Sequence, residues 1–198
     1  MTQQKESVVT PDRFTSGLTY DEYLSRIQRN RQKFEYNYSE TELSADDASA
    51  FRSLASREAG PAKVLALGED WCPDVFRGLP VMARIAEAAG MELRVFPRDQ
   101  NLDIMGEFLN RGESQAIPTF VFYTSDHRYI GHWIERPAKA NAEMGEVMKR
   151  YEGLDRSKPD DVAKLRQLAD EFQTGPVWAN WRVETIRELR ELLEEKSR

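Results

Sequence analysis

The chain has 198 residues, 40% of them hydrophobic, and a formal net charge of −6 at pH 7. This length suits one domain with additions, and the acidic balance argues against nucleic acid or an anionic membrane as a partner. One cysteine excludes an internal disulfide framework, and the absence of a long apolar run or a secretory signal pattern predicts a cytoplasmic protein.

The N-terminal part of the chain predicts helices. Residues 1–17 show no clear hydrophobic period and are interpreted as a loose lead-in. Thr19 and Glu22 have the spacing of a capping box at the start of a first helix. Ser44 has the position of an N-cap before a second helix. Residues 1–60 are therefore predicted to form an N-terminal helical extension.

A βαβ unit is predicted next. Lys63–Gly68 is a continuous apolar run, which is typical of a strand buried on both faces. Pro73 suits the first position of the following helix, and Gly90 marks its end. Residues 92–96 then predict a second strand, parallel to the first through a right-handed crossover.

The second half of the chain predicts a short helix, the two arms of a hairpin and a longer helix, in this order: 101–110, 119–124, 128–134 and 137–151. A helix from Pro159 follows, and a last helix begins after Trp178 and Trp181, which are interpreted as packing anchors. Charged residues on the outer face of that last helix are interpreted as a solvated surface: Glu184, Arg187, Glu188, Arg190 and Glu191. The whole order predicts an α/β fold with a four-stranded mixed sheet in a three-layer α/β/α arrangement.

The only cysteine lies between the first predicted strand and the next helix, in the motif Trp71-Cys72-Pro73-Asp74. A thiol is a nucleophile only when it is ionised. The free amides at a helix start lower a thiol pKa, whereas nearby carboxylates such as Asp70 and Asp74 raise it. No basic residue lies within four positions of the cysteine, so the sequence leaves the direction of the net pKa shift open.

A second motif, Ile117-Pro118-Thr119, opens the third predicted strand. Together the two motifs resemble the thioredoxin family, in its branch of thioredoxin-like proteins, where a W-C-x-x-C corner faces a cis-proline loop. The residues that this resemblance assigns are the nucleophile Cys72, the corner-shaping Trp71, Pro73 and Asp74, and the substrate-groove residues Ile117, Pro118 and Thr119. The groove would hold the extended chain of a partner by strand-like pairing.

The resemblance also implies a division of the chain. Residues 61–152 would form the thioredoxin-like core, and 153–198 would form a C-terminal helical extension. With the N-terminal helices, these parts are expected to make a single compact domain.

The chain departs from the family motif at Val75, where the second cysteine is expected. Without that cysteine the chain cannot resolve a mixed disulfide internally. In the leading hypothesis, a low-molecular-weight thiol resolves the adduct in a monothiol cycle. Alternatively, the adduct persists as a redox sensor, or Cys72 is inert and the groove is a non-catalytic binding module. Ala66 stands where the family often has an acidic residue, so that help with proton transfer is expected to be absent.

His127 and His132 are the only histidines. Because they lie five positions apart in the hairpin, we expect them on opposite faces, with no shared metal site. The sequence also lacks phosphate-loop and dinucleotide-binding motifs. We therefore expect no metal and no bound cofactor, with a low-molecular-weight thiol as a possible co-substrate. The expected partner is a protein or small-thiol disulfide, and the sequence leaves the oligomeric state open.

Overall fold

The computed structural model describes residues 7–197. Within this range the strands are β1 Lys63–Gly68, β2 Glu92–Pro97, β3 Thr119–Tyr123 and β4 Tyr129–Ile134. They form one sheet in the order β2-β1-β3-β4. The β1–β2 pair is parallel, and the β1–β3 and β3–β4 pairs are antiparallel. The predicted α/β fold with a mixed four-stranded sheet is therefore confirmed.

Nine α-helices lie within the described residues: α1 Pro11–Thr15, α2 Tyr20–Arg26, α3 Arg31–Ser39, α4 Ala45–Ala55, α5 Pro73–Ala89, α6 Leu102–Met105, α7 Ala138–Lys149, α8 Pro159–Thr174 and α9 Pro176–Lys196. Among residues 7–197, none of these helices combines the length and the apolar character needed to cross a membrane.

Local sequence signals explain several of these boundaries. The α2 helix begins at the predicted capping box, in which the Thr19 side chain and the Glu22 carboxylate each accept a backbone N–H. The Ser44 hydroxyl likewise caps α4 by accepting the N–H of Asp47. The α5 helix ends at Gly90, whose φ of 72° is the left-handed conformation that glycine adopts without strain.

Other boundaries differ from the predictions. The lead-in predicted for residues 1–17 is wrong over α1, where Thr10 caps a short helix and Phe14 is fully buried; residues 1–6 lie outside the described part. The helix predicted over 101–110 is shortened to the four residues of α6. The last helix starts at its proline, Pro176, so the two tryptophans expected before it lie inside it.

The two faces of the sheet carry different helices. Phe120 faces α5, because a Cβ on Gly78 would lie 3.8 Å from the Phe120 ring. Tyr123, three residues further along β3, points to the opposite face and packs edge-on against Phe14 of α1 at 6.4 Å. Helices therefore cover both sides of the sheet.

The sequence suggested that the outer face of α9 is a solvated surface. In the structure, one of its charged side chains also joins α9 to other elements. Its Glu188 carboxylate accepts hydrogen bonds from the indole N–H of Trp133 at 3.1 Å and from the backbone N–H of Ala138 at 2.7 Å. One side chain thereby joins α9 to β4 and to the first residue of α7. Within the described part of the chain, Glu191 on the same helix pairs with Arg187 alone, at the surface.

We predict that Glu188→Ala lowers the free energy of unfolding by about 1–3 kcal/mol, because it leaves the largely buried indole N–H of Trp133 without an acceptor. Chemical denaturation monitored by circular dichroism would measure the change. Glu191→Ala is the matched control and should change stability by less than about 0.5 kcal/mol. Equal effects of the two substitutions would contradict this role for Glu188.

Candidate functional site

Cys72 lies where the chain passes from β1 into α5. It is the N-cap of α5, and its carbonyl oxygen accepts the N–H groups of Val75 and Phe76, both at 3.1 Å. The residue as a whole is 9% exposed. Its Sγ atom lies 3.6 Å from the carbonyl oxygen of Ile117, to which the thiol can donate. The structure therefore brings the two sequence motifs together at one corner.

The loop opposite Cys72 packs against α5. The Ile117–Pro118 peptide bond is cis, and a Cβ on Gly78 of α5 would lie 3.1 Å from the Pro118 ring. Gly78 of α5 and the loop therefore pack closely together. Glycine suits this position because it has no Cβ atom. Ile117 is itself largely buried.

Thr119 does not line a groove, contrary to the expectation from the sequence. Its side chain is completely buried, and its hydroxyl donates to the carbonyl of Ala116 at 2.9 Å. Thr119 is the first residue of β3 and pairs with strands on both sides, opposite Leu67 and Ile134. Thr119 is therefore a residue of the sheet, and it supports the loop through its hydrogen bond to Ala116.

Trp71 and Pro73 form the exposed rim of the corner. Trp71 is 44% exposed, with the guanidinium of Arg98 at 5.6 Å from the ring centroid. Pro73 occupies the first turn of α5 and is exposed as well. An exposed aromatic ring beside a recessed thiol offers an apolar contact surface to a partner chain.

The acidic residues around Cys72 are engaged by other groups. Asp70 accepts the backbone N–H groups of Gln28 and Arg29, both at 3.0 Å. Glu69 accepts the N–H of Asp99 at 2.7 Å, and burial raises its pKa. These hydrogen bonds hold the Asp70 carboxylate against the backbone of Gln28 and Arg29, and the Glu69 carboxylate against the backbone of Asp99.

Asp74 is largely buried and is neutralised by two arginines. Its carboxylate contacts the guanidinium of Arg77 one turn along α5, and Arg136 pairs with its other oxygen at 3.0 Å. Arg136 also pairs with Glu135. Its Nε atom is buried without an acceptor among the described residues. Because Arg136 follows β4, far along the chain, no local sequence signal places it beside Cys72.

Burial raises the pKa of the Cys72 thiol above its ordinary value. The N–H of Val75 and the positive charges of Arg136 and Arg77 act in the opposite direction, while Glu135 adds to the increase. The thiol is therefore mostly protonated at neutral pH, with basic groups close enough to stabilise the ionised form. The sequence left this direction open because both arginines reach the cysteine only through the fold.

The C-terminal helix α9 completes the surroundings of Arg77. The guanidinium lies 4.4 Å from the ring centroid of Trp178 and 5.0 Å from that of Trp181. The indole N–H of Trp178 donates to Asn37 of α3 at 2.7 Å. Both tryptophans are buried, so they anchor α9, as expected, and also enclose the cation next to the thiol corner.

Val75 fills the position of the absent second cysteine. It is completely buried, and a Cβ on Gly68 would lie 2.7 Å from its Cγ1 atom. The side chain therefore packs tightly against the end of β1. With a single cysteine in the sequence, the chain holds no second thiol that could attack an adduct on Cys72.

The prediction that the two histidines face opposite sides is wrong, because both line one cavity. His127 lies in the hairpin turn with a φ of 68°, and the β3–β4 pairing is irregular between Phe122 and Tyr123. The regular alternation of a strand therefore does not apply between them. Among residues 7–197, no three histidine, cysteine or acidic side chains are grouped as metal ligands.

Known proteins resemble the chain in sequence pattern and in fold. A family model described as thioredoxin matches residues 17–152. A crystal structure of a protein of unknown function from Pseudomonas aeruginosa has a TM-score of 0.62 at 16% identity, covering 92% of this chain and 95% of that chain. An HIV epitope-scaffold gives the same TM-score, identity and coverage. Among curated proteins no match was found.

We predict that Arg136→Met raises the pKa of the Cys72 thiol further. The substitution removes a positive charge near the sulfur and leaves Asp74 with one arginine instead of two. Iodoacetamide alkylation should then be severalfold slower at pH 7.5, and its pH profile should move upward. Arg128→Met is the control, since among residues 7–197 Arg128 pairs with Asp126 alone, in the exposed hairpin. An unchanged profile in Arg136→Met would contradict the role of Arg136.

Proposed function

The chain belongs to the thioredoxin family, and from that premise we propose that Cys72 carries out monothiol thiol-disulfide exchange. The observation that carries the proposal is the 3.6 Å approach of Cys72 Sγ to the carbonyl of Ile117. A partner chain that paired with the backbone at Ile117 would bring its own sulfur close to this thiol. The exposed ring of Trp71 would support the same partner from the other side.

The proposed reaction has two exchange steps. Cys72 first loses its proton to solvent, and the thiolate attacks one sulfur of a partner disulfide. The partner S–S bond breaks, a mixed disulfide with Cys72 forms, and the leaving thiolate takes up a proton. A low-molecular-weight thiolate then attacks the partner sulfur of the mixed disulfide: the bond to Cys72 breaks, a disulfide between the small thiol and the partner forms, and Cys72 leaves as a thiolate. The small thiol thus supplies the step that Val75 cannot.

The charges at the corner suit a thiol that reacts only when a partner is present. At rest the protonated sulfur donates to Ile117, and burial keeps its pKa raised. Pairing of a partner with the backbone of Ile117 would compete for that carbonyl and release the thiol. The buried Nε of Arg136, which has no acceptor in the described chain, would then favour the anion that forms.

A reducing compartment would supply the second substrate. Small thiols are kept reduced in the cytoplasm, the location expected from the sequence. We propose that the protein works there on protein or small-thiol disulfides, and that it needs no bound cofactor.

A second candidate function is supported by the burial of Cys72. Since only 9% of the residue is exposed and its pKa is raised, the same corner suits a non-catalytic module that binds an extended peptide. In that case Cys72 would be a small buried side chain of the corner. The two functions differ in whether a disulfide reaches the sulfur while the protein is folded.

We predict that the folded protein forms a mixed disulfide with glutathione disulfide, and that added glutathione removes it. Intact-mass spectrometry would follow the adduct, and Cys72→Ser should form none. Because the thiol pKa is raised, the initial rate should still be increasing with pH at about pH 8.5, the ordinary thiol value. An adduct that forms in urea but not in the folded protein would refute exchange and favour the binding module.

A second prediction concerns the missing cysteine. In Val75→Cys, the new thiol lies within the first turn after Cys72, so a preformed glutathione adduct should be lost without added thiol. Val81→Cys is the matched control, because Val81 is equally buried in α5 but lies almost two turns further on. Its adduct should persist. Equal persistence in the two variants would contradict the view that Val75 is what makes an external thiol necessary.

A further inference from the structure

Glu135 and Arg136 join the two sides of the thiol corner. They follow directly after β4. The backbone N–H of Glu135 donates to the carbonyl of Pro118 at 2.7 Å, in the loop that faces Cys72. The guanidinium of Arg136 pairs with Asp74 at 3.0 Å, in the first turn of α5. This two-residue segment therefore contacts both the loop and the helix that flank the sulfur.

The backbone turns sharply at Glu135. The N–H of Arg136 donates to the carbonyl of Ile134 at 3.0 Å, and Glu135 between them has a φ of 69°. These features define a γ-turn with positive φ, which is rare and strained. A glutamate is unusual here, because among non-glycine residues asparagine, aspartate and histidine enter the left-handed region most often. A strained residue of this kind persists where the surrounding structure holds it, and such residues cluster at functional sites.

The guanidinium of Arg136 is shared by two carboxylates. A single nitrogen, Nη2, pairs with Oδ2 of Asp74 and with Oε1 of Glu135. The side chains of Asp74 and Glu135 are 12% and 26% exposed, so water and salt screen their charges only in part. The positive charge of Arg136 is therefore divided between two partners, and Asp74 pairs with Arg77 as well.

The charged and titratable groups around Cys72 come from four parts of the chain: Tyr23 of α2, Glu69 and Asp70 after β1, Asp74 and Arg77 of α5, and Glu135 and Arg136 after β4. Burial raises the pKa of Tyr23, so its hydroxyl is neutral. Burial also raises the pKa of the Cys72 thiol; Arg136 acts against this increase, and Glu135 adds to it. Glu135 thus opposes the arginine that its own turn brings to the sulfur.

We propose that Glu135 is a positioning residue for Cys72 and acts through Arg136. Its γ-turn places Arg136 against Asp74 beside the sulfur, and its carboxylate limits how strongly the arginine favours the thiolate. This role rests on the proposed exchange at Cys72, since it sets how readily that thiol ionises. It involves no further reactant.

The first test removes the charge and keeps the side-chain length. We predict that Glu135→Gln makes iodoacetamide alkylation of Cys72 severalfold faster at pH 7.5 and moves its pH profile downward, because the guanidinium then has one carboxylate partner fewer. This is opposite to the effect expected for Arg136→Met. Glu191→Gln is the matched control, since within the described chain Glu191 pairs with Arg187 at the surface, and it should alkylate like the original protein.

The second test asks whether Glu135 acts through Arg136. In the Arg136→Met background, adding Glu135→Gln should change the alkylation rate by less than about twofold, because the residue that transmits the effect is absent. A factor as large as in the original background would show that the carboxylate acts on the sulfur directly. That result would overturn the positioning role.

The third test concerns the turn. Glu135→Asn and Glu135→Val both remove the charge, but asparagine adopts positive φ readily, whereas a β-branched residue is a genuine outlier there. The asparagine variant should alkylate faster than the original protein. The valine variant should alkylate more slowly than the asparagine variant and approach Arg136→Met, since Arg136 is no longer held beside Asp74. Circular dichroism checks that each variant is folded. If both folded variants alkylate at the same rate, the turn does not position Arg136.

Iodoacetamide measures the ionisation of Cys72 whether or not the protein exchanges disulfides, so the two proposals fail separately. If the glutathione adduct forms as predicted while Glu135→Gln alkylates like the original protein, the role of Glu135 is refuted and exchange stands. If no adduct forms in the folded protein while the alkylation rates follow the predicted order, exchange is refuted and the control of the thiol by Glu135 stands. The glutamine and double variants decide the matter even where the valine variant does not fold.

Discussion

Arg77 is a positive charge buried inside the protein, and a buried charge is stable only where other groups replace its water. Asp74 supplies the opposite charge, and Trp178 and Trp181 supply aromatic faces. These partners come from the helix that carries the thiol corner and from the last helix of the chain. The position of the corner therefore depends on the packing of two segments, distant in sequence, around this cation, and removing Asp74 would leave Arg77 without its opposite charge.

This arrangement gives the C-terminal segment a direct structural part in the site. The family match ends at residue 152, yet the aromatic rings around Arg77 lie in α9, beyond that limit. Asn37 ties the same helix to α3, since it accepts from Trp178 and from Arg182. The regions that the sequence suggested as extensions are thus packed against the core, and α9 covers the arginine of α5 whose charge acts on Cys72.

The sequence predicted those parts of the fold that have strong local signals. The apolar run is sufficient by itself to identify β1. The proline and the glycine at its two ends are sufficient to identify α5. The α3 helix was missed because its sequence is mostly polar and it buries only Phe34 and Asn37. In the site, the corner and its loop followed from the motifs. The motifs did not predict the position of Arg136, because contacts between distant segments leave no periodic pattern in the sequence. Nor did they predict the cavity that both histidines line, because a turn with positive φ breaks the alternation of a strand.

The contact between Asn37 and Trp178 also affects how the chain folds during its synthesis. These residues are 141 positions apart, and Arg77 lies between them in the sequence. At ribosomal speed, the time from one to the other is on the order of ten seconds. During that interval α5 can form with its arginine still open to water, and the cation is enclosed only once α9 has been synthesised. A nascent chain would therefore carry Cys72 in a wetter, less ordered corner than the finished protein does.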